Sequence, residues 1–294
     1  MVAVVGPTCS SACRAAGPIF DEAGFSMISS SCTAVDLTAE DTGFASFNRT
    51  TPNDAFQGVA AAEFIYNELG LSAIATVHDG SPYGEGLVEE LTAQFTELGG
   101  EVVFADSLTV GDTDFRSLLE SIAAEEPGLI YFGGFPAEAA RLIEQRADVG
   151  LEEVPFMGAD GINTSELINL AGEAAEGVYA SSPVAPSNEA YLAFIERYTE
   201  TYDTEPTAAF HAYSYDATIM ILDGIEAVGM LDDDGNLNVD RAALAEFLRS
   251  YGAEEPFEGL SGMLSCNGTG ECATGGIGFF QVQDGAFARL EMAE

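Results

Sequence analysis

Apolar and polar positions along the chain alternate between two periods. Val2-Ala3-Val4-Val5 is a short β-branched run that stops at Gly6-Pro7, and a helical pattern over 12–23 then ends on Gly24. A second apolar run over 25–28 gives way to Ser29-Ser30-Ser31-Cys32-Thr33. This predicts strand, helix, strand, with hydroxyls clustered after each strand. From Asn53 the alternation continues. Asn53-Asp54 caps a predicted helix with Phe56, Val59, Ala60 and Phe64 on one face, closed by Gly70. A strand over 74–77 follows, then a helix over 84–98 with Leu87, Leu91, Phe95 and Leu98 at helical spacing. Strands over 102–104, 129–132, 155–157 and 178–180 alternate with helices over 115–123, 137–149 and 165–170. Strands separated by helices of this length imply parallel βαβ units.

A Pro- and Ser-rich stretch over 181–187 reads as a linker. Beyond it one helix carries Tyr191, Phe194, Ile195 and Tyr198 on a face. Another, over about 208–228, aligns Tyr213, Ala217, Met220 and Ile221. Asp240 caps a third over 241–249. With no strands between them, these helices are expected to cover the sheet begun by 2–5 and 25–28. The end of the chain, 278–282, Asp284-Gly285 and 287–290, reads as a β-hairpin. The chain thus passes between two lobes near residues 51, 182 and 275. Lobe 1 is expected from 1–51 and 183–275, and lobe 2 from 52–182 and 276–294. The fold class is α/β: two Rossmann-like lobes with parallel sheets, joined by a multi-strand hinge, with a cleft that closes on a ligand. Residues 1–5 lack the basic start and apolar length of a signal peptide. A chain that opens on a strand, with no leader ahead of it, suggests a mature fragment or an incomplete gene model.

Charge narrows the chemistry. The net charge is −40, and all nine basic residues are Arg. Without lysine there is no Walker-type phosphate loop, Schiff base or lysine general base. Nucleic acid and anionic membrane surfaces are repelled. Five cysteines leave one over. Cys266 and Cys272 flank a turn-rich loop suited to a local disulfide, and Cys13–Cys32 is the favoured second pair, with buried free thiols as its alternative. Two bridges favour an oxidising compartment.

Five strand ends gather the candidate chemistry: 5–10, 28–33, 77–83, 132–135 and 157–160. Ser10 and Ser11 sit at a helix N-terminus, where free N–H groups favour an anion; the bland alternative for Ser10 is a helix cap. The loops after the first two strands offer hydroxyls and amides, and those of the second lobe offer Tyr83, Phe135 and Asp160. No Arg lies in any of these loops. A zwitterion suits this set, its carboxylate on neutral donors and its ammonium on Asp160. A dicarboxylate or phosphate would lack a countercharge. Tyr83 before Gly84 and Asp160 between glycines could also be turn residues. His78 and His211 read as structural. Asp41-Thr42-Gly43 lacks the second carboxylate that aspartic protease chemistry needs. Gly268-x-Gly270 has no strand leading in, and 232–236 reads as a solvated connection rather than a calcium loop. No catalytic residue, metal site or cofactor is expected.

The ordered set Val4-Val-Gly-Pro-Thr-Cys-Ser-Ser11, Met27-Ile-Ser-Ser-Ser-Cys-Thr33, Val77-His-Asp79 with Tyr83-Gly-Glu-Gly86, Tyr131-Phe-Gly-Gly134 and Phe156-Met-Gly158 resembles the type I periplasmic solute-binding proteins. The resemblance is to their leucine/isoleucine/valine-binding branch, which serves ABC importers, and it spans essentially the whole chain. It implies that Ser10 and Thr33 hold an α-carboxylate and that the Ser31 carbonyl accepts from the α-ammonium. Ser11 and Cys32 belong to the same ligand-binding turns. Tyr83 would reach in from lobe 2, and Asp160 stands where the family usually has Glu for the ammonium. Phe135 replaces a frequent Tyr. Family members begin with a further β-α-β stretch, which usually carries a cysteine that would pair with Cys9.

The function implied is a non-enzymatic, monomeric, extracytoplasmic receptor, periplasmic or anchored at the cell surface. It would deliver a small amino acid, branched-chain or apolar, to a membrane permease. The alternatives are a sensory module of the same fold, or a receptor for an amide or urea-like solute. The acid excess reads as a solvated surface or, more sharply, as adaptation to high salt, where screening relieves self-repulsion. The midpoint of thermal unfolding is therefore expected to rise along a salt series, and a flat or falling midpoint would remove this reading of the charge.

Overall fold

The computed structural model describes residues 1–291 and divides into two compact units, 1–53 with 184–276 and 54–183 with the chain from 277 onward. The chain passes from one to the other after Asn53, Pro183 and Gly276. In the first unit, β1 (Ala3–Val5), β2 (Ser26–Ser29) and β3 (Phe47–Arg49) form a parallel sheet in the order β1-β2-β3, with α1 (Ser10–Ala23) crossing between the first two. Gly24, with φ of 63°, ends α1 in the left-handed region that glycine tolerates.

The second unit continues with α2 (Asp54–Glu63), β4 (Ala73–His78), α3 (Pro82–Glu97), β5 (Glu101–Ser107), α4 (Arg116–Ala124), β6 (Ile130–Gly133), α5 (Pro136–Gln145), β7 (Phe156–Gly158), α6 (Ser165–Ala171) and β8 (Tyr179–Pro183). Strands alternate their side chains between the two sheet faces. Ile74, Leu129, Tyr131 and Met157 pack on the α2/α3 side. Ala75, Val77, Ile130, Phe132 and Phe156 pack on the side of α4, α5 and α6. The result is a doubly wound unit.

The chain re-enters the first unit through α7 (Glu189–Tyr202), α8 (His211–Val228), β9 (Gly229–Leu231), β10 (Leu237–Val239), α9 (Arg241–Arg249), β11 (Phe257–Glu258) and β12 (Met263–Leu264). Met27 of β2 faces a cluster with Cys13 and Phe47, while Ile28 faces Ala217, Met220, Leu244 and Leu248. Helices α8 and α9 therefore cover the sheet as expected; α7 has no fully buried residue. The chain ends in the second unit with β13 (Ile277–Gln283) and β14 (Ala286–Arg289), joined through Asp284-Gly285 as the sequence predicts. The seven-stranded sheet runs β14-β13-β8-β7-β6-β4-β5, parallel from β8 to β5, with β13 antiparallel to both neighbours. Among the described residues no helix is long and apolar enough to cross a membrane.

Several expectations are corrected. The run 181–187 is not all linker: Ser181, Ser182 and Pro183 finish β8 and pair with Phe279, Gly278 and Ile277. The hairpin β9–β10 interrupts the helical run, turning at an Asp232 carboxylate that accepts from Asp234 N–H (3.0 Å) and Asn236 N–H (2.8 Å). Helix α2 also presents a different face from the one its large residues predict. Phe56 is exposed and Val59 and Ala60 are half-buried, whereas Gln57, Gly58, Ala61 and Ala62 are buried. Small residues let α2 approach α3 closely. A Cβ on Gly58 would lie 2.7 Å from Glu90 Cβ and 2.8 Å from Leu91 N. Gly58→Val is accordingly expected to destabilise the protein by about 1–3 kcal/mol. Phe56→Ala, at an exposed position, is expected to cost less than that. Urea denaturation of the two variants tests this, and the opposite ranking would restore the face carrying Phe56.

Candidate functional site

In the second unit, the connection from β4 leads to β5 on one side, and the chain then returns to place β6 on the other. Strand order reverses there, and in open α/β sheets ligands gather at such switch points, beyond the carboxyl ends of the strands. Tyr83, Phe135 and Asp160 lie beyond the carboxyl ends of β4, β6 and β7. Ser81 caps α3 by accepting from Gly84 N–H (3.0 Å), and Asp79 accepts from Ser81 N–H (2.9 Å). This fixes the first turn of α3, from which the Tyr83 hydroxyl donates to Asp160 Oδ1 (2.9 Å) and accepts from Gly161 N–H (2.9 Å). The Phe135 ring lies 5.4 Å from that of Tyr83. The backbone is packed tightly around the pair: a Cβ on Gly84 would lie 2.3 Å from the Gly133 carbonyl oxygen, and one on Gly161 would lie 2.5 Å from that of Gly134.

Asp160 is 7% exposed. Burial pushes its carboxyl up to about 6, and hydrogen bonds from Tyr83, Gln57 and nearby backbone N–H groups offset only part of that rise. The Tyr83 hydroxyl is pushed well above its ordinary value, first by burial and then by the charges of Asp160 and Asp54. Ion pairs among the described residues engage Arg14, Arg49, Arg116 and Arg141, and none engages Asp160. This carboxylate is held by neutral donors in a poorly solvated place. A cation arriving with its own N–H donors would stabilise its ionised form.

In the first unit, the loops after β1 and β2 are cross-tied. Ser29 Oγ donates to the Pro7 carbonyl (2.7 Å) and accepts from the N–H groups of Ser31 (3.2 Å) and Cys32 (2.9 Å). Ser31 Oγ donates to the Thr8 carbonyl (2.8 Å). Ser10 opens α1, and its Oγ accepts from Ala34 N–H (3.1 Å), so it does not act as the helix cap. Its hydroxyl proton remains to donate. Ser11, next along the helix, is exposed. Thr33 is fully buried, and its Oγ1 has no hydrogen-bond partner among the described residues. A hydroxyl left so costs about 1–3 kcal/mol, which a carboxylate oxygen would recover. The set offers neutral donors and a helix N-terminus, a suitable receptor for an anion.

Two disulfides are present, Cys13–Cys32 and Cys266–Cys272, and Cys9 is free and exposed. The reading of Cys32 as a ligand contact is corrected. Its sulfur is in the disulfide, its N–H donates to Ser29 and its carbonyl accepts from Arg49 Nη1 (2.9 Å). It shapes the turn and has nothing left for a ligand. The structure thus brings Ser10, Ser31 and Thr33 together in one unit and Tyr83, Phe135 and Asp160 in the other. Sequence reasoning missed Gln57, whose Nε2 reaches the Ser181 carbonyl (3.3 Å) and hydroxyl (3.1 Å) beside Asp160, and it missed Arg49. A glutamine on a helix carries no signal of its own. Its burial, four residues before Ala61 on the small-residue face of α2, was the available one.

A family model described as periplasmic binding protein matches residues 1–286. A leucine-, isoleucine-, valine-, threonine- and alanine-binding protein of Pseudomonas aeruginosa is 33% identical over 258 residues, covering 86% of this chain and 65% of the relative. The chain thus spans about half to two thirds of the length of the curated relatives it matches, from 52% to 67%. Among solved structures, a leucine-binding protein of Thermotoga maritima superposes with a TM-score of 0.87 at 30% identity, covering 99% of this chain and 79% of the other. An ABC transporter substrate-binding protein of Desulfitobacterium hafniense in complex with Leu gives 0.77 at 25% identity, with 98% and 80% covered.

The raised carboxyl makes a pH-dependent prediction for the unliganded protein. A carboxyl whose folded value lies above its unfolded one penalises the folded state once it is ionised. The penalty is complete above about pH 6 and vanishes below the ordinary carboxylate range. Asp160→Asn is therefore expected to raise the urea midpoint at pH 8, and the gain should fade between about pH 6 and pH 4. A gain that is absent, or the same at every pH, would show that ionised Asp160 carries no such penalty.

Proposed function

The chain belongs to the periplasmic binding protein family, and on that premise we propose that it is the extracytoplasmic substrate-binding component of an ABC importer, capturing a small amino acid, branched-chain or similarly apolar. The observation that carries this reading is Asp160: a buried carboxylate, hydrogen-bonded by Tyr83 and paired with no cation among the described residues. A ligand ammonium supplies that cation. The donors at Ser10 and Thr33 take the ligand's carboxylate, with the N-terminus of α1 behind them. Phe135 and Tyr83 provide apolar surface beside the ammonium end, which suits an aliphatic side chain better than a polar one.

The first unit offers neutral donors suited to a carboxylate, and the second offers an anion suited to an ammonium. No step requires bond chemistry, and the protein acts by binding and release, handing the solute to a membrane permease. Similarity to a leucine-binding protein and to a substrate-binding protein in complex with Leu supports the substrate class.

Isothermal titration with leucine, isoleucine, valine, alanine, leucinamide and succinate at pH 7.5 tests this reading. Branched-chain zwitterions are expected to bind and succinate is not. Asp160→Asn should weaken leucine at least about tenfold, the scale of a charged hydrogen bond of roughly 1.5–3 kcal/mol. Wild-type affinity for leucine should also fall as pH drops through about 6, because the protonated carboxyl no longer attracts the ammonium. Binding of dicarboxylates or sugars, with no zwitterion bound, would overturn the proposal.

A further inference from the structure

Arg49 is fully buried and uses its guanidinium as a five-pronged clamp. Nη1 donates to the carbonyls of Cys32 (2.9 Å) and Ala34 (2.9 Å). Nη2 donates to Thr38 Oγ1 (2.7 Å) and Glu271 Oε1 (2.6 Å), and Nε donates to both Glu271 oxygens (3.0 Å each). The residue's backbone is gripped as well, its N–H donating to the Gly270 carbonyl (2.8 Å) and its carbonyl accepting from Cys272 N–H (3.1 Å). Glu271 sits inside the loop closed by Cys266–Cys272. Burial alone would raise the Glu271 carboxyl. The Arg49 charge and hydrogen bonds from Arg49, Thr38 and Asn53 outweigh that and hold it below its ordinary value.

The two carbonyls held by Nη1 belong to the turn that carries Thr33. A trans peptide is planar, so its N–H points opposite to its C=O. Fixing the Cys32 oxygen on the guanidinium turns the Thr33 N–H away from Arg49, and fixing the Ala34 oxygen does the same for the Val35 N–H. Ala34 N–H, between them, donates to Ser10 Oγ. The Cys13–Cys32 disulfide ties this turn to α1, the helix that Ser10 opens. Positive charge at one end of these peptides also polarises them, strengthening the N–H groups at the other end as donors to an anion.

Resting on the amino-acid reading above, we propose that Arg49 is the positioning residue of the carboxylate subsite: anchored on Glu271 of the disulfide-closed loop, it orients the Cys32–Ala34 turn so that the Thr33 amide and hydroxyl receive the ligand's carboxylate. Arg49 does not touch the ligand. Its replacement acts on carboxylate recognition and leaves the ammonium end, with Asp160, as it is.

A ratio separates this role from general stabilisation. Leucinamide keeps the ammonium and side chain of leucine but lacks the carboxylate, so the ratio of its Kd to that of leucine reports the carboxylate subsite alone. Arg49→Lys keeps the charge and loses the fork, and it is expected to weaken leucine at least about tenfold. The leucinamide-to-leucine ratio should contract by a similar factor, with leucinamide affinity little changed. Glu271→Gln should shift the ratio in the same direction. Thr38→Val removes one anchor without leaving a buried charge unpaired, and it decides the matter if Arg49→Lys does not fold; a contraction of at least about twofold is expected. Folded variants whose ratio equals that of the wild type, or in which both ligands weaken equally, would overturn the assignment. A wild-type protein that binds no amino acid at all would instead remove the functional reading on which it rests.

Discussion

A buried guanidinium is tolerated only when every N–H finds an oxygen and the charge finds a partner, and the first unit is built around meeting that demand for Arg49. In a chain of net charge −40 there is no shortage of carboxylates, yet among the described residues only Glu271 reaches this cation. Bringing it there requires the end of β3, the turn after β2 and the loop between Cys266 and Cys272 to meet at one point. The ion pair converts separate pieces of chain into a single rigid corner, and that corner is where the hydroxyl and amide donors of the candidate site sit.

The second unit poses the converse problem. Asp160 is buried too, though less completely than Arg49, and has neutral company: a tyrosine hydroxyl, a glutamine and backbone N–H groups. Such donors hold a carboxylate in place without cancelling its charge. One unit thus contains a charge fully neutralised inside the protein, whose effect is felt through peptide dipoles. The other contains a charge left for something external to neutralise. The two ends of a zwitterion differ in the same way: a carboxylate needs several neutral donors, an ammonium one anion.

Much of the architecture was legible from the sequence because helix and strand periods alternate cleanly from residue 53 to residue 180, and Asp284-Gly285 marks a hairpin on its own. The misses share a cause. Periodicity is read from large apolar side chains, so the α2 face was assigned to Phe56 when Gly58, Ala61 and Ala62 were the residues that allow close helix packing. The strands β3, β9 and β10 are three residues each and, unlike the equally short β1, contain no uninterrupted apolar run to mark them. Tyr83, Phe135 and Asp160 were legible as strand-end residues, but the hydrogen bond joining Tyr83 to Asp160 spans 77 positions and is visible only once the sheet order is known. Arg49 carried no signal: an arginine after Phe47-Asn48 looks like any surface residue, and its partner lies 222 positions away.

The bare backbone packed around Tyr83 and Asp160 limits how this unit can diversify. At Gly84, Gly133 and Gly161 any side chain would collide with a carbonyl within about 2.5 Å, so random drift there is lost to misfolding before it can be tried on a new solute. The route left open is Phe135, half-buried beside Tyr83 and free of such a collision. Descendants of this chain that change diet would be expected to do so through that one ring, keeping the glycine frame intact.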